Sequence, residues 1–410
     1  MHVLSYRNRD EFLAVPQLIR FDYAADQDGW EPTLLIKGNT LLLKYIVLGA
    51  RMQLAFAICH GRLLYALHVF DDEDNGGILW SFAERQEELD AVRSIASGQP
   101  LIAFLFNEIA VNVAWNDYPT FEAIDSLIPF IESASLGSVE HHAMKDTATV
   151  LLDKLGSSDC ADNDWLTLQI GGRCDWKPLR NHFITAAAQS SLIDLFDQDE
   201  GNQQEQIGIW LTDNLHPLGA YHSPQRPYKD SETRELTDIL LSYEFGATLI
   251  ESKTLSILAR ERLPKRAKLQ RNVSSRISKA FQQLRGGIRK LKEGVEITDC
   301  NGKVLSITRD QPVHAIVLVP DLDLIEDPQQ YGLEFINKFM TDTGGFAHLL
   351  DISELLRVAQ AAEMLASRGK TTTPMMAFDY YLIERAKKAA NAGTLCIKVL
   401  LRFVDEEIQK

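Results

Sequence analysis

The chain has 410 residues, 45% of them hydrophobic and 24% charged, which is the composition of a folded globular protein and excludes a disordered or collagen-like chain. That length exceeds one ordinary hydrophobic core, so two domains are expected. The formal net charge of -15 at pH 7 argues against a surface that binds nucleic acid everywhere, and any such binding must be local.

No apolar run is long enough to cross a membrane. The most apolar region, 40–70, is interrupted by Lys44, Arg51, His60 and Arg62. The N-terminal MHVLSYRNRDEF lacks the apolar core of a signal peptide, so a cytoplasmic protein without a membrane partner is expected. Cys59, Cys160, Cys174, Cys300 and Cys396 are odd in number and form no Cys-x-x-Cys pair. They read as free thiols of a reducing compartment rather than a zinc site.

From residue 32 onward the spacing predicts strands over 33–37, 41–48, 52–59 and 63–70. Turn signals at Lys37-Gly38-Asn39, Gly49-Ala50-Arg51 and His60-Gly61 separate them, as in an antiparallel meander. The acidic run 71–77 lacks the alternating ligands and terminal glutamate of an EF-hand and reads as a plain loop. A helix over 82–97 ends near Gly98, a hairpin covers 101–107 and 108–115, and helices follow over 121–133 and 143–155. His141-His142 reads as a solvated helix start rather than a metal pair. An α+β domain over 1–156 results, without a glycine-rich phosphate loop or a nucleophile motif. Regulation, partner binding and oligomerisation are its open roles.

The polar, helix-poor run 156–164 marks a linker, and 157–410 forms the second domain. It begins with a strand over 165–170 and a helix around 179–196, and a polar break at 197–202 follows. A helix over 202–214 then places Ile207, Trp210 and Leu211 on one stripe and Glu205 in its first turns. The loop 216–230 holds His222, Arg226 and Lys229, candidate nucleic-acid contacts without a defined scaffold.

The stretch 234–254, RELTDILLSYEFGATLIESKT, organises this half. Residues 239–241 and 247–250 are apolar and β-prone, and Tyr243-Glu244-Phe245-Gly246 suits a four-residue hairpin loop with Gly246 free to take positive φ. In that register Ser242 pairs with Ala247 and Asp238 falls opposite Glu251. Directly opposed side chains lie about 5 Å apart. Alternation puts Glu251 and Lys253 on one face and turns Ser252 away. Apposed carboxylates repel unless a cation separates them or one is protonated, and their hard oxygens suit Mg2+ or Mn2+.

An acid entering a hairpin whose second strand ends in Glu-x-Lys resembles the PD-(D/E)XK nuclease superfamily. The resemblance covers about 202–402. Lys279-Ala-Phe-Gln-Gln283-Leu looks like the Lys-x-x-x-Gln-Leu helix after the catalytic hairpin, and Glu205-Gln-Ile-Gly-Ile-Trp-Leu like the helix before it. Thr237 stands where many members have proline. Asp175-Trp176-Lys177 also fits acid-x-Lys, but no apolar strand delivers it. The resemblance implies an α/β/α core around a mixed sheet. Asp238, Glu251, Glu205 and the Ser252 carbonyl would hold Mg2+ (or Mn2+). Lys253 would stabilise developing charge, and Gln283 with Lys279 would position water or phosphate.

The charge pattern agrees with a nucleic-acid partner. Residues 254–292 hold twelve basic residues against Glu261 alone, a local +11 that leaves -26 on the rest. Lys265, Arg266, Lys268, Arg271, Arg276, Lys279 and Arg285 are candidate contacts to a phosphate backbone. A solvated helix face or a docked acidic domain would need the same charges.

Beyond this strip a helix over 273–291 buries Ile277, Phe281, Leu284 and Ile288, and a hairpin turns at Asn301-Gly302 between 295–298 and 304–308. Strands over 314–320 and 346–351, helices over 353–367 and 377–391, and a closing strand over 395–404 complete the chain. Asp321 and Asp323 read as structural loop acids.

The expected fold class is α/β. The expected function is a metal-dependent nuclease, with DNA as substrate and, by resemblance to bacterial effectors, a role in defence against foreign DNA. Two alternatives stay open: an idle nuclease fold that binds nucleic acid, and a regulatory or structural subunit of a larger complex.

Overall fold

The computed structural model describes residues 4–26, 29–70, 76–118, 124–136, 141–156, 165–170, 175–184, 190–229, 232–258, 264–369 and 371–397. The chain is of the α/β class and divides into two compact units. The first comprises 1–181, 193–198 and 256–266, and the second 182–192, 199–255 and 267–410. The division falls later than residue 156, because the strands that follow the expected linker pair with N-terminal strands.

In chain order the first unit holds α1 (Tyr6–Ala14), β1 (Leu18–Asp26), β2 (Gly29–Lys37), α2 (Thr40–Val47), β3 (Met52–Cys59), β4 (Arg62–Val69) and β5 (Gly77–Phe82). Then come α3 (Gln86–Ala96), β6 (Leu101–Phe106), β7 (Asn112–Tyr118), α4 (Ile128–Ser133), α5 (His141–Gly156), β8 (Leu166–Ile170) and β9 (Lys177–Pro178). One sheet runs β1-β2-β6-β7-β9, with β2 and β6 parallel; the other, β5-β4-β3-β8, is antiparallel throughout. The expected meander thus holds for β3 and β4 alone, and β5, which was not expected, extends it.

Two expectations here are corrected. Residues 41–48 form a helix, not a strand. A continuous buried apolar run fits either, so the caps decide. The Asn39 side chain accepts from the Leu42 N–H (2.7 Å), and Glu108 accepts from the Thr40 N–H and hydroxyl. The helix expected over 179–196 is a ribbon, β10 (Asn181–Ile184) with β11 (Ser190–Ile193). Its start is tied to β7: the Leu179 N–H donates to Val113, and Asn181 Nδ2 donates to the Asn112 carbonyl. The 71–75 loop, the side chains of His141 and His142, residues 157–164, Cys160 and Cys174 lie outside the described residues. Cys59, Cys300 and Cys396 are free thiols.

The second unit continues with α6 (Glu200–Asp213), β12 (Gly219–His222), β13 (Gln225–Pro227), β14 (Thr233–Glu235), β15 (Ile239–Tyr243) and β16 (Gly246–Ser252). It ends with α7 (Arg266–Lys292), β17 (Val313–Val319), α8 (Leu333–Thr343), β18 (Phe346–Asp351), α9 (Ile352–Arg368) and α10 (Pro374–Ala392). Its sheet runs β12-β15-β16-β17-β18, antiparallel up to β16 and parallel from β16 to β18. Every residue of β15, β16 and β17 is buried, as strands covered on both faces require. Gly208 of α6 approaches Ile239 and Leu318 on one face, where Asp379 of α10 also meets His314. Gly287 of α7 approaches Leu249 on the other, and Phe281 of α7 packs edge-on against Phe339 of α8. The result is three layers, α/β/α.

The hairpin register is as expected, with Ser242 opposite Ala247, but Tyr243 also pairs with Gly246. The loop therefore has two residues, not four, and Gly246 keeps negative φ. The turn at Gly302 forms (φ +80°), with Thr298 and Val304 bridged across it and the Leu305 N–H donating to the Ile297 carbonyl (2.8 Å). Thr308 is drawn away to donate to the Tyr243 carbonyl (2.7 Å). Residues 395–397 are not a strand, and 398–404 lie outside the described residues.

Candidate active site at the end of the central hairpin

Asp238 stands just before β15, and Glu251 is the penultimate residue of β16. The register continues one step beyond Ile239–Ile250 to bring them together. Both acids are buried: Asp238 is 8% exposed and Glu251 1%. The Lys253 ammonium bridges them, donating to Glu251 Oε2 (2.8 Å) and Asp238 Oδ2 (3.3 Å). Asp238 Oδ2 also accepts from the Ser252 N–H (2.6 Å). Thr237 secures the approach by donating its hydroxyl to the Ile250 carbonyl (2.8 Å). The site lies at the carboxyl end of β16, where the parallel strand β17 receives the Lys253 N–H at Leu318. In open α/β sheets ligands bind at such strand ends.

One ammonium serves two carboxylates, and the imbalance is felt. Burial, then the Asp238 charge, pushes the Glu251 carboxyl up to about 7, despite Lys253. Burial also pushes Asp238 up to about 6, opposed by Lys253 and reinforced by Glu205. Burial works against the Lys253 charge, but the two carboxylates outweigh it and raise its pKa.

Glu205 lies near enough to act on Asp238, yet its carboxylate meets the His222 ring (Nε2 to Oε2, 2.9 Å). That hydrogen bond raises the His222 pKa. Ser252 points to the α6 face, as expected, and its hydroxyl accepts from Gln204 Nε2 (3.0 Å). The same amide donates to the Leu318 carbonyl (3.0 Å), so Gln204 ties β16 to β17 behind the site. Sequence reading singled out Glu205 and passed over its neighbour. The available signal was spacing: Gln204, Ile207 and Leu211 follow the i, i+3, i+7 pattern of a buried stripe.

On α7, Lys279 and Gln283 are exposed and make no hydrogen bond to the three site residues. Helical periodicity places Gln283 on the same side as Arg276 and Gly287. Arg276 donates to the Thr254 carbonyl, and Gly287 lies against Leu249. Gln283 thus sits on the face directed at β16.

The basic residues of α7 do not share one face. Lys265 and Arg266 belong to the first unit, whereas Lys268, Arg271, Arg276, Lys279 and Arg285 belong to the second. Lys268, Arg271 and Lys279 are exposed. Arg276 is instead a strut for the strand end. Arg285 projects from the opposite side of α7, over Phe335 and Phe339 of α8 and 3.9 Å from Asp342. Arg260 and Arg262 lie outside the described residues. Lys177 of the acid-x-Lys decoy pairs with Asp117 and covers Trp115. Asp321 caps a 3-10 turn by accepting from Asp323, a structural role.

Among the described residues no cluster of three or more His, Cys, Asp or Glu side chains is disposed to hold a metal. The donor set at the hairpin is two carboxylates, buried, with pKa values raised for want of positive charge. That chemistry fits a hard divalent cation. Among the described residues no helix is long and apolar enough to cross a membrane. No protein-family profile matches the chain, and neither a curated protein nor a solved structure matches it.

Proposed function

We propose that the chain is a metal-dependent nuclease that hydrolyses phosphodiester bonds, with DNA as its substrate. The observation that carries this reading is the pairing of two buried carboxylates with a single ammonium at the end of β16. The α/β/α layering with the acid-x-Lys triplet closing the second strand of the hairpin supports a restriction-endonuclease-like core. Asp238 and Glu251 would hold Mg2+ or Mn2+, assisted by the Ser252 carbonyl. Such an ion supplies Lewis acidity to a phosphate oxygen and lowers the pKa of water.

The protein's own groups do the rest. Lys253 carries a charge secured by both acids, at the point where a phosphate must gain negative charge. Glu251, whose carboxyl burial raises to about 7 in the metal-free site, would give up its proton on taking the ion. Gln204 and Thr237 hold the two strand ends at fixed spacing. Glu205 orients His222 rather than joining Glu251. Gln283 and Lys279 line the exposed approach from α7.

The deciding experiment is cleavage of supercoiled plasmid, linear duplex, single-stranded DNA and RNA with Mg2+, Mn2+ or EDTA. Metal-dependent cutting that disappears in Lys253→Ala is expected. Cutting that survives the substitution would move the site elsewhere, and folded wild-type protein that cuts none of these substrates would overturn the reading.

A further inference from the structure

The small hairpin of β13 and β14 leads directly into Asp238. Three contacts hold its base, one of them to Asp238 itself. The Ser223 N–H donates to the Asp238 carbonyl (2.8 Å), the Leu236 N–H donates to the Pro224 carbonyl (2.8 Å), and Gln225 bridges Thr298. Ser223 takes a left-handed φ of 47°, an uncommon conformation for serine that turns the chain from β12 into the hairpin. Beyond these anchors the hairpin is open to solvent: Tyr228, Lys229 and Arg234 are exposed.

Its side chains are arranged against its own stability. Arg226 and Arg234 are directly opposed across the two strands. Like charges at that spacing destabilise a strand pair. Among the described residues neither guanidinium has a carboxylate within ion-pair distance, although Glu232 and Glu235 are in the same hairpin. Alternation puts Tyr228 on the face of Arg226. Tyr228 is 46% exposed, with the Arg234 and Arg226 guanidinium carbons 5.6 and 5.8 Å from its ring centroid and Lys229 Nζ 6.0 Å away. These distances lie within the roughly 6 Å of a cation–π contact, so three cations gather over the ring and hold positive charge around it.

An anion between two guanidiniums would remove their repulsion, and a flat π-system would cover the tyrosine. A nucleotide carries both groups. In a duplex the base faces are stacked away, so a ring that needs a base face selects an unpaired strand. The four residues from Arg234 to Asp238 span at most about 14 Å, which places the hairpin within a few nucleotides of the carboxylates. We propose that this hairpin is a clamp for unpaired nucleic acid, with Arg226 and Arg234 on a phosphate and Tyr228 beneath the adjoining base. This inference rests on the nuclease reading for the path of the strand across Asp238. It names the substrate as a single strand or a single-stranded end.

The test is fluorescence anisotropy in EDTA with the full chain. The probes are labelled thymidine and uridine homo-oligonucleotides and a blunt duplex of equal length. Tyr228→Ala is expected to weaken single-strand binding about 5- to 150-fold, the range of one base–aromatic stack, and so to lower the ratio of single-strand to duplex affinity. Tyr228→Phe should retain that ratio, and Arg234→Ala should reduce the salt slope by about 0.7. The thymidine and uridine arms separate DNA from RNA. The proposal falls if wild type binds neither oligonucleotide, if Tyr228→Ala leaves the ratio unchanged, or if Tyr228→Phe loses as much as alanine. It also falls if a polyglutamate peptide competes as well as the unlabelled oligonucleotide. A ratio that responds to Tyr228 while no substrate is ever cut would retain the clamp and reject the nuclease. Metal-dependent cutting with an unresponsive ratio would do the reverse.

Discussion

At the end of β16 two carboxylates share one ammonium; beside β18 one carboxylate closes on one guanidinium. Both clusters are buried in the second unit. Arg385 is wholly buried and donates to both Glu354 oxygens (3.0 and 3.2 Å) and to the Leu349 and Ile397 carbonyls. The Tyr381 hydroxyl donates to Glu354 as well (2.9 Å). Charge there is balanced, and the bonds lock α9, α10 and β18 to one another. Around Lys253 the charge is unbalanced, and both acids are held toward their protonated forms. Burial alone therefore does not mark a site. A surplus of one sign, kept at a strand end, is what a folded chain retains for a ligand to neutralise.

The contrast can be broken most forcefully at the closed cluster. Arg385→Ala should destabilise the chain by about 3–5 kcal/mol, because it leaves Glu354 buried without its partner. Urea denaturation measures this, and any loss of activity should follow the loss of folded protein. Lys253→Ala should do the opposite, costing on the order of 10²-fold or more in cleavage with little loss of stability.

The pH dependence sharpens the comparison. Asp238 and Glu251 keep their protons to about pH 6 and about pH 7 in the folded chain, above their ordinary values. The folded state thus binds more protons than the unfolded state from about pH 4 to about pH 7, and stability falls as pH rises through that window. The Glu251 shift alone is on the order of 3 kcal/mol. Glu251→Gln should melt higher than wild type at pH 8, match it at pH 4, and flatten the profile in a thermal melt. Mg2+ should raise the melting temperature of wild type at pH 8 but not that of Glu251→Gln. The smallest effect belongs to the far side of α7. Arg285→Ala should cost about 0.5–1 kcal/mol of stability, from its ring contacts, and leave nucleic-acid affinity unchanged in the same anisotropy assay.

The site was legible because local rules specify it. A short turn that pairs Ser242 with Ala247 sets the register of the hairpin, and alternation then delivers Asp238, Glu251 and Lys253 to one face. Gln204 was missed because its place on the buried stripe of α6 shows that it is covered but not which strand ends its amide joins. Arg276 and Arg285 were counted with their basic neighbours because a charge count carries no direction around a helix.

The amino-acid sequence by itself determined the periodic elements: the central hairpin, the buried strand β17, and the helices whose apolar stripes repeat every three to four residues. Tertiary structure decided what periodicity leaves open. Residues 41–48 are apolar apart from Lys44 and became a helix through Asn39 and Glu108. Residues 181–184 and 190–193 became the two strands of a ribbon whose start is tied to β7. The division into units fell after residue 181, because β8 and β9 bond strands more than fifty residues earlier. Hydrogen bonds between distant segments have no period in the chain, and so only the folded molecule reveals them.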